Sequence, residues 1–163
     1  MSSGIISKKH KITSFIQVLG CSAPKFSKNT GAVLLISSGR FHAVSLALNS
    51  NIPVYILESD NLKKISEDEI ENLRKKKKSA YLKFLNSEKI GILISTKPGQ
   101  ENFKRAISIQ KKMKNKTSYL FLSNEINIKE FENFDIRSWI NTACPRMDFD
   151  SPIINISDLE NLL

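Results

Sequence analysis

The sequence predicts an α/β fold: two small tandem parallel-sheet domains, 1–87 and 88–163, each made of strand–loop–helix–strand units. Three observations carry this expectation. The apolar runs at 32–36 and 90–94 are short and continuous, the pattern of strands buried on both faces of a parallel sheet. Each is followed by a glycine-bearing loop, an amphipathic stretch and a second apolar run. The segments Gly31-Ala32-Val33-Leu34-Leu35-Ile36-Ser37 and Ile90-Gly91-Ile92-Leu93-Ile94-Ser95 are also alike, so the order recurs.

The elements follow in turn. A polar, basic start becomes apolar at Phe15-Ile16-Gln17-Val18-Leu19, and Gly20-Cys21-Ser22-Ala23-Pro24 ends that run as a loop. A strand is expected over 32–36, a tight turn at Ser37-Ser38-Gly39-Arg40-Phe41-His42, a short helix over 43–48 and a strand over 53–57. Ser66 with Glu69 three residues on marks a helix start. Ile70, Leu73, Ala80, Tyr81 and Phe84 give that helix an apolar stripe to about 86, and Lys75-Lys76-Lys77-Lys78 forms its solvated middle.

The second half has a strand over 90–94, the loop Ser95-Thr96-Lys97-Pro98-Gly99-Gln100 and a helix lined by Phe103, Ile107 and 109–113. A strand over 118–122, a helix or turn over 128–131 and a strand over 136–140 lead to Cys144. Short apolar pieces at 153–154 and 159–163 end the chain, the last beginning with a helical turn after Ser157. Parallel strands with crossover helices carry their functional loops at the carboxyl ends of the strands. The loops after 36 and 94 and the two cysteine loops are therefore expected on that edge.

The chain has 163 residues, 40% of them hydrophobic, enough to bury a core. Its formal charge of +9 favours anionic partners or simply solvates the surface. No aromatic–basic platform or recognition helix accompanies the charge, so direct nucleic-acid binding is not expected. No run of 18 apolar residues exists, so no membrane span is expected. The start lacks the pattern of a secretion signal, and two cysteines then suggest reduced thiols and a cytoplasmic protein.

Cys21 and Cys144 are the only cysteines, and each follows an apolar run at a glycine- or proline-marked stop. They are too far apart in sequence for a local metal knuckle. On spacing alone, a structural thiol is the simpler reading of each. If both bind one inorganic centre, the fold must gather them and another ligand must come from elsewhere; thiolates suit iron clusters. Zinc fits poorly, because His10 and His42 stand near neither cysteine. A thiol hydrolase pairing Cys21 with His42 lacks a visible orienting group. The loop 95–100 has no Walker spacing. Gly39-Arg40-Phe41-His42 could hold a carboxylate or cap an adenine, or be a turn with solvated charges. Lys97-Pro98-Gly99-Gln100 could bind a polar ligand. Arg146 and Asp148 could bind an amino acid's carboxylate and amine, or pair with each other.

Four stretches together carry a resemblance: Gln17-Val18-Leu19-Gly20-Cys21, Ser38-Gly39-Arg40-Phe41-His42, Ser95-Thr96-Lys97-Pro98-Gly99-Gln100 and Trp139-Ile140-Asn141-Thr142-Ala143-Cys144-Pro145-Arg146. In order and spacing they resemble the diphthamide synthase family, in particular the archaeal first-step 3-amino-3-carboxypropyl transferase and its eukaryotic relatives. The resemblance implies three related α/β domains, each giving one cysteine to a single [4Fe–4S] cluster. By motif, Cys21 corresponds to the middle domain's ligand and Cys144 to the final domain's. It implies S-adenosylmethionine as co-substrate, cleaved from sulfur to the γ-carbon. The 3-amino-3-carboxypropyl group then passes to a histidine of translation elongation factor 2, the first step of diphthamide biosynthesis. Arg40, Gln100 and Arg146 are the residues expected to hold the methionine carboxylate and amine. His42 belongs to a family-like motif without an assigned role.

The chain departs from the family pattern by lacking the first domain and its cysteine. A separate subunit carrying that domain would restore the third ligand, making this chain one part of a split enzyme in a homo- or hetero-oligomer, with a dimer implied by the family. A truncated product is the other explanation. The alternative function is a non-catalytic scaffold, a paralogue that binds the elongation factor or a catalytic partner.

Overall fold

The computed structural model describes residues 10–18, 24–37, 39–127, 130, 133–144 and 153–160. The chain divides into two compact units, Met1–Glu67 and Asp68–Leu163.

In the first unit, β1 (Val33–Ile36) and β2 (Val54–Glu58) run parallel, with Val33 opposite Val54 and Ile36 opposite Leu57. The crossover between them is α1 (Arg40–Asn49), which buries Ala43, Val44, Leu46 and Ala47. Val54 and Ile56 of β2 are buried as well. The helix begins earlier than the expected 43–48: Gly39 is its extended N-cap, so Arg40, Phe41 and His42 form its first turn rather than a loop. β3 (Asn61–Lys64) returns antiparallel along β2, giving the order β1-β2-β3.

The sequence reading lacks β3, and the reason is physical. All four of its residues are exposed, so pairing rests on backbone hydrogen bonds that leave no hydrophobic alternation to read. β1 also differs from the strand expected to be buried on both faces. Its residues alternate, with Leu34 at 38% and Ile36 at 63% exposure. The register sets Ile36, Leu57 and Leu62 side by side across the three strands on that open face.

The second unit is built on β4 (Lys89–Ser95), β5 (Thr117–Ser123), β6 (Ser138–Asn141) and β7 (Ile153–Asn155). All pairings are parallel, and the order is β5-β4-β6-β7. Its helices are α2 (Glu67–Asn86), whose first residue precedes the division, α3 (Phe103–Lys112) and α4 (Ile156–Glu160). One sheet face carries Ile90, Ile92, Ile94, Ile140 and Ile154. Phe84 of α2, Ala106 and Ile109 of α3, Met113 just beyond it, and Ile156 and Leu159 of α4 close over them. The opposite face carries Leu93, Trp139 and Ile153, covered by Ile126 and Ile136 from the β5–β6 connection. The chain moves one way from β4 to β5, then back past β4 to β6. Reversing direction at constant crossover hand puts the second connection on the other face.

The compact units and the domain boundary expected after 87 differ by α2. Phe84 and Tyr81 seat on the second core, and Lys116 Nζ donates to the carbonyls of Leu85 and Ser87 at 2.9 and 2.8 Å. A cation there satisfies carbonyls at the helix's carboxyl end. Of the lysine run, Lys77 turns inward and pairs with Asp158 at 3.0 Å. The turn expected over 128–131 and the piece at 159–163 fall partly outside the described residues. No described helix is long and apolar enough to cross a membrane.

Candidate cysteine site at the carboxyl edge of the second sheet

Ligand crevices in open parallel sheets lie outside the carboxyl ends of the strands, where the strand order reverses. Here the reversal lies between β4 and β6. The segment Asn141-Thr142-Ala143-Cys144 leaves β6 at that place, and its hydrogen bonds fix it on three sides. Thr142, fully buried, donates both its amide (3.1 Å) and its hydroxyl (2.8 Å) to the carbonyl of Leu93 in β4. Asn102, the N-cap of α3, donates its side-chain amide to the carbonyl of Thr142 at 3.0 Å. Asn141, 1% exposed, accepts from the Ala143 amide at 2.9 Å and donates to the Cys144 carbonyl at 2.9 Å. It also donates to Asn155 Oδ1 at 2.8 Å. Cys144 itself is half-buried, with a free thiol.

The loop after β4 shares this edge. Ser95 Oγ accepts from the Lys97 amide at 3.2 Å, and the Gln100 amide donates to the Lys97 carbonyl at 3.0 Å. Gly99 has φ 78, a left-handed conformation that glycine adopts without the cost of a Cβ. The Thr96 amide donates to Ser123 at 3.0 Å, tying the loop to the end of β5. Lys97 Nζ stands 3.6 Å from Glu125. The expected proximity of the 95–100 loop and the Cys144 loop is thus present within the second unit, through Asn102.

The other predicted site residues are distributed differently. Gln100 is exposed on the shared loop, and Arg40 is exposed in the first turn of α1, in the other unit. Phe41 and His42 meet edge-to-face at 5.1 Å. Cys21 and Arg146 lie outside the described residues. A hollow of about 250 Å³, lined by Lys77, Tyr81, Ile154 and Asp158 among others, contains none of the predicted residues. The charge pair with displaced titration, Lys89 and Asp135 at 2.8 Å, sits at the amino end of β4, the opposite edge. Its hydrogen bond raises the Lys89 ammonium's pKa and lowers the Asp135 carboxyl's.

The residues that organise the site, Asn102, Asn141, Thr142 and Asn155, did not stand out as individual functional residues in the sequence. Asn141 and Thr142 carried a signal: they are polar residues directly following Trp139-Ile140, Asn141 ending a strand buried throughout and Thr142 buried just beyond it. Buried amides and hydroxyls require partners, so such an interruption marks a hydrogen-bonded feature. Among the described residues, no three or more of His, Cys, Asp and Glu gather as a metal-binding group. Cys144 is the one cysteine among the described residues, and thiolate is the donor that iron–sulfur clusters take.

The comparisons with known proteins agree with the motifs. The family model described as "Putative diphthamide synthesis protein" matches residues 2–163. The 2-(3-amino-3-carboxypropyl)histidine synthase of Pyrococcus horikoshii is 28% identical over 155 residues, covering 90% of this chain and 45% of that protein. Subunit 1 of the synthase of that name from Schizosaccharomyces pombe is 30% identical over 144 residues, covering 82% of this chain and 32% of that protein. A crystal structure of Dph2 from Pyrococcus horikoshii with a 4Fe-4S cluster matches with a TM-score of 0.75 at 27% identity, covering 90% of this chain and 44% of that one. The chain spans less than half the length of these relatives.

Proposed function

This chain belongs to the diphthamide synthesis family, and from that premise we propose that it is the part of a 3-amino-3-carboxypropyl transferase that supplies two cluster thiolates, Cys21 and Cys144. Residues 1–87 correspond to a middle domain and 88–163 to a final domain, the last helix of the first range, α2, packing on the core of the second. Residues 1–163 hold only these two cysteines, so the third thiolate comes from outside them. The observation that carries the reading is the family match from residue 2 to 163, which takes in a Cys144 loop pinned at the sheet's reversal point.

In this reading S-adenosylmethionine is the co-substrate and a histidine of translation elongation factor 2 is the acceptor. A [4Fe–4S] cluster, when bound, supplies the electron for reductive cleavage of the sulfonium. The chain's own residues orient and bind. Cys144 and Cys21 hold iron, and Arg40, Gln100 and Arg146 hold the methionine carboxylate and amine. Fixing those charged ends decides which carbon–sulfur bond is aligned for cleavage.

Anaerobic reconstitution tests this. The chain alone is expected to take up iron and sulfide substoichiometrically. Addition of a polypeptide carrying the family's first domain is expected to give a full cluster spectrum and S-adenosylmethionine cleavage. Full loading and turnover by residues 1–163 alone would overturn the need for a third thiolate from outside them. The scaffold reading is separated by Cys144→Ala in the complete assembly: unchanged transfer to the elongation factor supports a scaffold, and lost transfer supports the enzyme.

A further inference from the structure

We propose that Asn141, braced by Asn155, is the positioning residue for Cys144. The inference deepens the reading of Cys144 as a cluster ligand and rests on it. Asn141 is 1% exposed, and its amide is fully engaged. Its oxygen accepts from the Ala143 amide at 2.9 Å. Its nitrogen has two hydrogens: one goes to the Cys144 carbonyl at 2.9 Å, the other to Asn155 Oδ1 at 2.8 Å. Asn141 and Asn155 are register partners on β6 and β7, and Asn155 is itself 4% exposed.

This single side chain therefore grips the two residues that end in the thiol and references them to the neighbouring strand. Thr142, between Asn141 and Ala143, is held by Leu93 of β4 and by Asn102 at the start of α3. The backbone that carries Cys144 is set against three strands and a helix. A leucine would fill the same space without the cost of burying an amide. What it would lose is the grip on Ala143 and Cys144. A thiol that must meet donors from other segments benefits from such a fixed approach, because outer partners that orient a ligand govern metal affinity.

The test reads the thiol in the full, iron-free chain. Cys21→Ser leaves Cys144 as its one cysteine. In that background, native-state alkylation by iodoacetamide is expected to quicken roughly tenfold in Asn141→Ala and roughly threefold in Asn155→Ala, as the loop gains freedom and access. Asn141→Asp keeps an acceptor for Ala143 but loses the donor to Cys144. It is expected to raise alkylation while the Ala143 amide stays protected. In the unsubstituted chain the Ala143 amide is expected to exchange at least about tenfold more slowly than an open loop amide.

A role in stability alone would lower the urea midpoint and leave native-state alkylation at the parent rate. That result in folded Asn141→Ala, or an unprotected Ala143 amide in the parent, would overturn the inference. If Asn141→Ala fails to fold, Asn155→Ala and the exchange measurement decide. Absence of a cluster from the complete assembly would sink the ligand reading through a different measurement, so the two failures are distinguishable.

Discussion

Gly91 of β4 lies directly opposite Trp139 of β6, and the indole occupies the space that a side chain on Gly91 would need. A Cβ built there would fall within the ring. The ring has no easy way to yield: it packs in one cluster with Leu93 and Ile153 and meets Phe121 edge-to-face at 4.9 Å. β4 and β6 can pair with the indole lying across Gly91 because Gly91 has no side chain. β6 in turn leads into the Cys144 loop, so the strand pairing that places this candidate site depends on that absence.

Gly91→Ala is accordingly expected to destabilise the chain by roughly 3 kcal/mol, the upper end for overpacking a filled core. Trp139→Leu costs stability alone by leaving a cavity, yet it should recover part of the loss in the Gly91→Ala background. Urea midpoints of the four proteins in the double-mutant cycle measure this coupling. Additive losses would show that the two residues do not share the space.

Ser138 gives an expectation of opposite sign. Its hydroxyl is buried and has no hydrogen-bond partner among the described residues. The side chain is fully buried on β6, opposite Ile90. Removing an unsatisfied polar group lifts its desolvation cost, so Ser138→Ala is expected to stabilise by about 1 kcal/mol. A higher urea midpoint at unchanged slope is the expected result. A lower midpoint would mean that the hydroxyl has a partner.

The fold was legible wherever burial imposed a pattern. Apolar runs marked β4 and β5 because β4 is buried along nearly all its length and β5 pairs with it throughout. The stripe Ile70, Leu73, Ala80, Tyr81 and Phe84 marked α2 because those positions face a core. β3 was illegible because it buries nothing. The destination of α2 was illegible for another reason: its stripe says that one face is covered, but not by which sheet. That is settled by distant partners such as Lys116, whose role as a cap for the end of α2 has no local sequence pattern.

The β2–β3 turn offers a test of backbone strain. Ser59 has φ 55, the left-handed region that a residue with a Cβ enters at a cost of roughly 1–2 kcal/mol. Glycine removes that cost but adds freedom to the unfolded chain. Ser59→Gly is therefore expected to stabilise by less than the full strain, about 0.5–1 kcal/mol. Thermal unfolding of the two proteins checks it, and a lowered Tm would count against the strained turn.

The Lys89–Asp135 pair predicts a pH dependence whose sign follows from the two shifts. The Asp135 carboxyl is lowered from its ordinary 3.8 by the Lys89 hydrogen bond, so its contribution is present above that value and is lost as pH falls through the lowered one. The Lys89 ammonium is raised from 10.5 by the same bond, so its contribution is present below 10.5 and is lost as pH rises through the raised value. Both groups are exposed, and solvent and salt screen them. Lys89→Met is expected to move the Asp135 titration midpoint upward, read by NMR, while Tm near neutral pH changes little. An unmoved midpoint would mean that the pair does not form in solution.

The site was half legible. Cys144 stood out by its residue type and by the stop that follows an apolar strand. Its supports did not, because asparagine and threonine carry no chemistry of their own and acquire a role only from the atoms they meet. Thr142 is the clearest case. Its hydroxyl donates to the Leu93 carbonyl at 2.8 Å, and its amide donates to that carbonyl at 3.1 Å. Thr142→Val keeps the shape and the β-branching but removes the hydroxyl. Leu93 retains the amide as a partner, so no carbonyl is orphaned, and the cost should be that of one net hydrogen bond, about 1 kcal/mol. Because Asn141 and Asn102 still hold the loop, Cys144 alkylation in Thr142→Val is expected to stay within about twofold of the parent, far below the change expected for Asn141→Ala. A large acceleration in Thr142→Val would move the seat of positioning from Asn141 to the β4–β6 contact.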